Sequence, residues 1–366
     1  MKIALVRRGF SAGGGAERYL SRVAAGLRRV GHDPVLVGDV SWPEDRWDGE
    51  SEVIDARGPW DFAEQVARRM DRAVWDSVFS LERIFFCHAY RAGDGVHRAW
   101  MKRRQAGGSG AWRTWFRGLR PKHKQLLALE KRLFGDGGAR RIIVNSRMVA
   151  AEITAEYGVA DERIHLVYNG YDPGRGGETV ADREQARGSL RKAMEIPEDA
   201  LVILFTGSGW ERKGLDFLVR ALDRLNRRNI HLIVAGRGRM RRGYAGDRRH
   251  FLGTVAHMPP LYAAADLFVL PTLYDPFSNA CLEAMRHGLP VVTTTANGFA
   301  EIGCDGVHGE AVAAGDVAAL TSALDRWTSP DFAPPAREAC TEKVSHLTIE
   351  ANVRQTLEVL EAAARI

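Results

Sequence analysis

Cysteine is scarce in this chain, and long apolar runs are missing. The four cysteines, Cys87, Cys281, Cys304 and Cys340, are scattered without the paired spacing of a metal site. Reduced thiols in a cytoplasmic protein are therefore expected. No stretch approaches the ~20 apolar residues of a membrane-spanning helix, and the apolar opening at residues 3–6 is interrupted by Arg7-Arg8 too soon for a signal peptide. Two nucleotide signatures are also missing. The phosphate-binding spacing Gly-x-x-x-x-Gly-Lys-Ser/Thr does not occur, and the first glycine-rich turn lacks the dinucleotide fingerprint, with Asp39 a weak substitute for its acid. The second absence argues against a nicotinamide-dependent oxidoreductase. There is no internal repeat of solenoid period.

What is present is unevenly charged. The net charge is +6, yet residues 97–132 hold eleven basic residues against one acid, Glu130, so that this window carries +10 and the remainder −4. Aromatics are interleaved, as in Trp100-Met101-Lys102-Arg103-Arg104 and Trp112-Arg113-Thr114-Trp115-Phe116-Arg117. Cations with aromatics suit exposed nucleic-acid bases and phosphates, an anionic lipid surface, or plain solvation. Tryptophan beside arginine fits lipid better, and nucleic acid is the less favoured partner.

The chain is long enough for two domains, and its pattern divides that way. Apolar runs at 2–8, 34–38, 52–56, 77–81, 142–145 and 165–168 read as strands, with helices at 16–30, 60–75 and 146–157. Residues 84–93 are apolar but ambiguous. A turn-rich joint follows at Asn169-Gly170-Tyr171-Asp172-Pro173-Gly174. A second alternation begins at 201–206, with strands at 231–235, 267–270 and 291–295 and helices at 215–228, 259–265, 280–287 and 318–327. Strands alternating with helices indicate parallel sheets. The expected fold class is α/β, with two doubly wound domains in tandem facing each other across a cleft. Their expected limits are 1–168 and 169–348, and the last helix, 349–364, is expected to return to the first domain.

Three turns stand at strand ends, where doubly wound sheets meet ligands. In Gly9-Phe10-Ser11-Ala12-Gly13-Gly14-Gly15-Ala16-Glu17, consecutive glycines let backbone amides approach an oxyanion. In Gly207-Ser208-Gly209-Trp210-Glu211-Arg212-Lys213-Gly214, Arg212 and Lys213 sit at a helix start, where cations oppose the helix dipole unless an anion is bound. A point charge beside a guanidinium fork suits a diphosphate. In Tyr274-Asp275-Pro276-Phe277-Ser278-Asn279-Ala280-Cys281-Leu282-Glu283, a capping residue opens a helix and Glu283 follows a turn later, placed to accept hydrogen bonds from a diol. Asp94, between Gly93 and Gly95, and His88 are candidates for orienting a second substrate; for His88 a buried, satisfied role is equally open.

These motifs occur in an order that resembles glycosyltransferase family 4. The resemblance rests on Gly13-Gly14-Gly15-Ala16-Glu17, Asn145-Ser146, Asn169-Gly170-Tyr171-Asp172, Arg212-Lys213-Gly214 and Leu261-Tyr262-Ala263-Ala264-Ala265-Asp266. It extends through Pro276-Phe277, Leu282-Glu283-Ala284-Met285 and Gly288-Leu289-Pro290-Val291-Val292, covering the chain to about residue 315. The segment Ala89-Tyr90-Arg91-Ala92-Gly93-Asp94-Gly95-Val96-His97 with its basic aromatic sequel is similar to enzymes of the lipopolysaccharide core glucosyltransferase I type. The resemblance implies a GT-B fold of two Rossmann-like domains, the first taking the acceptor and the second the nucleotide sugar. It implies a retaining, metal-independent hexosyltransferase with no cofactor. UDP-glucose or another UDP-hexose would be donor, and a lipopolysaccharide core or related glycolipid would be acceptor. The enzyme would be cytoplasmic and peripheral on the inner face of a bacterial inner membrane, held through residues 97–132.

Carried onto this chain, the resemblance gives Gly13, Gly14 and Gly15 to the donor phosphate, with Gly207 in the second glycine-rich turn, and Arg212 and Lys213 to the diphosphate. Glu283 would take the ribose hydroxyls, and Asp275 would sit by the transferred sugar. Backbone amides of Phe277, Ser278, Asn279 and Ala280 would cover sugar and phosphate. Asp275 stands where the family has glutamate, one methylene shorter. A nucleotide-sugar epimerase of the same fold and a nucleic-acid-binding protein on a degenerate transferase scaffold are the alternatives.

Overall fold

The protein is described here by a computed structural model covering residues 1–10, 15–70, 75–106, 121–171 and 180–364. It divides into two units, Met1–Gly170 with Ile349–Ile366, and Tyr171–Thr348.

The first unit carries seven strands: β1 (Lys2–Val6), β2 (Asp33–Asp39), β3 (Ser51–Ile54), β4 (Ser77–Ser80), β5 (Cys87–Arg91), β6 (Ala139–Val144) and β7 (Ile164–Leu166). They pair in the order β3-β2-β1-β4-β5-β6-β7, every pair parallel. Strands β1, β4 and β5 are buried on both faces, and β1 reads as a continuous apolar run for that reason. The ambiguous residues 84–93 resolve as β5, a central strand carrying polar His88 and Arg91 as well as apolar residues. One face packs Phe62, Val66, Leu129 and Phe134 against the sheet. The other packs Leu20, Val23 and Leu27 from the helix Gly15–Arg29.

That second face also receives the last helix, Ile349–Ala364, through Val359, Leu360 and Ala363. The two helices approach closely because Gly26 has no side chain; a Cβ there would lie 2.5 Å from Val353 Cγ1. Tyr19 Oη and Thr356 Oγ1 are hydrogen-bonded at 3.0 Å across the same contact. The helix expected over 60–75 ends at Arg69.

The second unit carries β8 (Leu201–Thr206), β9 (Ile230–Ala235), β10 (Arg249–Gly253), β11 (Leu267–Val269), β12 (Val291–Thr294) and β13 (Gly309–Val312). Their order is β10-β9-β8-β11-β12-β13, again all parallel. The edge strands β10 and β13 escape the sequence pattern because they are only partly buried and carry Arg249, His250 and Glu310. The helix Val180–Ala193 is mostly polar, with Arg191 its buried residue. It docks by charge: Arg187 and Arg191 each reach Asp266 at 2.7 Å, and Arg191 Nε donates to the Ala264 carbonyl at the end of the helix Pro259–Ala264.

Candidate functional site

In each sheet the chain reverses its direction of winding at one place, between β1 and β4 in the first and between β8 and β11 in the second. Loops leaving the carboxyl ends of two such strands diverge to opposite faces and open a crevice.

In the second unit that crevice is lined by the turn after β8 and the turn after β11. Gly209 and Gly214, both with left-handed backbones, bound the one-turn helix Trp210–Lys213. At Gly214 the requirement is absolute, because φ is +81° and a Cβ would lie 1.9 Å from the Pro271 carbonyl oxygen. This contact sets Arg212 and Lys213 against the segment after β11. Arg212 Nη1 donates to the Tyr274 carbonyl at 3.0 Å, while the Arg212 carbonyl accepts from the Leu273 amide at 2.8 Å and from Thr272 Oγ1 at 3.0 Å. Lys213 Nζ donates to Asp275 Oδ2 at 2.5 Å, with the two side chains 13% and 8% exposed. The cation foreseen for a diphosphate and the carboxylate foreseen for the sugar are thus one ion pair. Gly207, with φ +145°, lies beside the Lys213 stem; a Cβ there would lie 3.4 Å from Lys213 Cγ and Cε.

The segment after β11 is held from β12. Asp275 makes a parallel bridge with Asn297, its amide donating to Ala296 and its carbonyl accepting from Gly298. Buried Asn297 is the hub. Its Oδ1 accepts from the Ser278 and Phe299 amides at 3.1 Å, and its Nδ2 donates to Thr293 Oγ1 at 2.9 Å and Cys281 Sγ at 3.3 Å. Ser278 caps the helix Asn279–Arg286 by accepting from the Cys281 amide. The Ser278 and Cys281 amides are therefore used internally, so Ser278 is removed from the amides expected to cover sugar and phosphate. Phe277 is buried edge-on to Phe299, at 5.7 Å.

Glu283 is exposed on this helix, and buried Tyr262 donates its hydroxyl to Glu283 Oε2 at 3.1 Å. Burial, with the Glu283 charge beside it, holds the Tyr262 phenol above its ordinary value and keeps it a donor. Tyr262 also stacks on His287, centroids 4.7 Å apart. Burial pushes the His287 imidazole down to about 4, helped by Arg286, Arg337 and Arg183. Burial pushes the Cys281 thiol up to about 12, so it is not a nucleophile. Asn297 and the role of Tyr262 were not foreseen; an Asn followed by Gly298 reads as a turn, and only its burial reveals the hub.

In the first unit, Arg7 follows β1 and Glu82 follows β4, and they pair at 2.8 Å, with Glu17 a second partner at 3.3 Å. Burial works against the Arg7 charge, but Glu82, Asp94 and Glu17 outweigh it and hold its pKa above the ordinary value. Burial raises the Glu82 carboxyl; Arg7 opposes this and Asp94 adds to it. Asp94 lies exposed in the turn after β5, with Gly95 in the left-handed region at φ +69°. His88 is buried within β5, its Nδ1 accepting the Val78 amide at 3.0 Å. Gly15 begins the first helix; Gly13 and Gly14 lie outside the described residues, as do residues 107–120 of the basic window. The flanks of that window form the helices His97–Ala106 and Pro121–Glu130. Buried Glu130 accepts from the His97 and Arg98 amides, from Arg83 at 3.0 Å and from Tyr157 at 2.8 Å.

The comparisons with known proteins fall on both units. Residues 13–175 match a family model described as Glycosyltransferase Family 4, and residues 200–329 match one described as Glycosyl transferases group 1. An uncharacterized glycosyltransferase of Methanocaldococcus jannaschii is 32% identical over 174 residues, 44% of this chain and 44% of its own length. A D-inositol 3-phosphate glycosyltransferase of Salinispora arenicola is 28% identical over 230 residues, 57% of this chain and 51% of its own. The chain thus spans about half the length of the curated relatives it matches. Among solved structures, WaaG, a glycosyltransferase involved in lipopolysaccharide biosynthesis, superposes with a TM-score of 0.68 at 21% identity, covering 99% of this chain and 94% of that one. Anabaena HepE in complex with UDP and glucose gives 0.73 at 17% identity, covering 99% and 100%. With one glycosyltransferase model matched by each unit and a parallel Rossmann-like sheet in each, the chain is a protein of the GT-B fold built from glycosyltransferase-family segments.

Proposed function

We propose that the protein is a retaining glycosyltransferase that moves a hexose, glucose favoured, from a UDP-sugar to a lipopolysaccharide core or related glycolipid. The observation that carries this reading is the grouping of Arg212, the Lys213–Asp275 pair and the Tyr262–Glu283 pair around the crevice of the second sheet. Breaking the bond between the anomeric carbon and the diphosphate leaves its electron pair on a phosphate oxygen. Arg212 and Lys213 offset that charge with fixed positive groups, in the manner of preorganised electrostatic catalysis. Lys213 exchanges part of its contact with Asp275 for the phosphate, and Asp275 is then released toward the sugar hydroxyls. Glu283, steadied by Tyr262, accepts from the ribose diol. The acceptor oxygen bonds to the anomeric carbon on the face the diphosphate leaves, and its proton passes to a phosphate oxygen. That course retains configuration and asks for neither a carboxylate nucleophile nor a divalent ion.

The UDP and UDP-glucose complexes of HepE support a uridine donor, and the involvement of WaaG in lipopolysaccharide biosynthesis supports a lipopolysaccharide acceptor. The basic helices His97–Ala106 and Pro121–Glu130 support attachment to the cytoplasmic face of a bacterial inner membrane. Among the described residues no helix is long and apolar enough to cross a membrane. The test is release of UDP from UDP-sugars with core acceptors, with and without a chelator. Glu283→Ala should abolish nearly all turnover; retained turnover removes Glu283 from its role. Turnover lost on chelation overturns metal independence, and sugar interconversion without any acceptor puts an epimerase in its place.

A further inference from the structure

Buried polar atoms without a hydrogen-bond partner are uncommon, and each calls for an account. Several gather at the carboxyl edge of the first sheet: Arg7 Nε, Glu17 Oε2, Arg91 Nη1 and Asn145 Oδ1. Arg91 ends β5 and Asn145 follows β6. Arg91 is registered against Ile143, so Asn145, two residues on, falls on the same face one pleat further. Arg91 is 6% exposed and Asn145 2%. The guanidinium lies over the Tyr19 ring, 4.1 Å from its centroid, and Nη2 donates to Asn169 Oδ1 at 2.6 Å. Asn145 Nδ2 donates to the Gly93 carbonyl at 3.3 Å. Among the described residues no carboxylate forms an ion pair with Arg91, whereas Arg7 has Glu17 and Glu82 as ion-pair partners and Asp94 in electrostatic range.

We propose that Arg91 and Asn145 form a subsite for a sugar or polyol bearing an oxyanion, a phosphate or carboxylate, beside a hydroxyl. The oxyanion takes the Nη1 donor of Arg91, and the hydroxyl donates to Asn145 Oδ1. A buried cation without an anionic partner is costly. Here stacking on Tyr19 and the amide oxygen of Asn169 hold the guanidinium flat, with one arm of its fork unused. The charge distribution also settles which end of the edge takes the anion. Around Arg7 the carboxylates are in excess and repel one; around Arg91 they are not. This rests on the glycosyltransferase reading, in which the first unit takes the acceptor, and names the acceptor's class as an anionic glycoside.

Calorimetric titration of the full chain, with UDP first added to saturation, tests this with four probes: glucose, glucose 6-phosphate, glucuronate and inorganic phosphate. The wild type is expected to bind at least one of the two sugar anions about tenfold or more tightly than glucose, the scale of one charge-assisted contact. Arg91→Gln should erase the preference, Arg91→Lys should keep part of it, and Asn145→Ala should weaken both sugar anions several-fold. Circular dichroism establishes folding, and Arg91→Lys covers the case in which the glutamine variant does not fold. Equal binding of all four probes, an undiminished preference in Arg91→Gln, or inorganic phosphate binding as tightly as the sugar phosphate each overturn the proposal. UDP binding without an anion preference sinks the subsite and leaves the transferase reading standing. An anion preference without UDP binding does the reverse.

Discussion

The two sheets have the same parallel winding and the same kind of switch point, yet their carboxyl edges differ in charge. In the first, Arg7 is enclosed by Glu17, Glu82 and Asp94, while Arg91, to the side, has no ion-pair partner among the described residues. In the second, Lys213 meets a single carboxylate at 2.5 Å and Arg212 a backbone carbonyl at 3.0 Å, and the loop after β9 adds exposed Arg237, Arg239, Arg241 and Arg242. A shared backbone scaffold therefore carries a cation enclosed by carboxylates at its first switch point and, at its second, two neighbouring cations with one ion-paired carboxylate. Charge placed on loops separates the two, while the strands are interchangeable in kind.

The strongest way to break this comparison is to remove the cation at the second switch point. Lys213→Met should lower kcat by about 100-fold or more, the scale of losing one preorganised charge, and should also lower stability by leaving the buried Asp275 carboxylate without its ion-pair partner; initial-rate kinetics and a urea titration read the two separately. Next comes the backbone that brings the edges of β8 and β11 together. Gly214→Ala meets both the Pro271 carbonyl and a positive φ, and about 2–4 kcal/mol of lost stability is expected in urea unfolding.

Asn297→Ala leaves the Ser278 and Phe299 amides without their acceptor and should cost about 1–3 kcal/mol. The same variant should raise the donor KM as the Asp275–Ala280 segment loosens. An unchanged KM would mean that the hub supports the core only.

Acid behaviour sharpens the comparison further. Burial depresses the His287 and His97 imidazoles to about 4 from 6.5, with neighbouring arginines adding to it. The unfolded chain then binds more protons between those values, so both groups contribute stability above about pH 6.5 that is lost as pH falls toward 4. His287→Phe, which keeps a ring on Tyr262, should flatten the decline of unfolding free energy over that window. The smallest effect expected is kinetic. Arg239→Gln with Arg242→Gln should slow UDP-sugar association a few-fold at low salt and not at ~1 M salt, where the Debye length is about 3 Å.

Much of this could be read in the chain before any coordinates. Strand β8 and the last helix coincide with their expected limits, because a buried parallel strand and an amphipathic helix each leave a strong periodic trace. Edge strands β10 and β13 left none, since half-exposed strands carry arginine, histidine and glutamate. At the second crevice the turn chemistry announced Arg212, Lys213, Ser278 and Glu283. The Lys213–Asp275 pair did not announce itself, being separated by some 60 positions in sequence and joined through the Gly214–Pro271 contact.

What the sequence alone determined was the alternation of strand and helix, the two-domain division, and the glycines and capping residues that shape each turn. These are local matters, fixed by periodicity and by which backbone angles a residue tolerates. What only the tertiary structure decided was which charges neutralise one another and which stay unmatched: Lys213 with Asp275, Arg7 among three carboxylates, Arg91 with none as an ion-pair partner among the described residues. Electrostatic pairing depends on distance and burial in space, and neither is encoded at the position of a single residue.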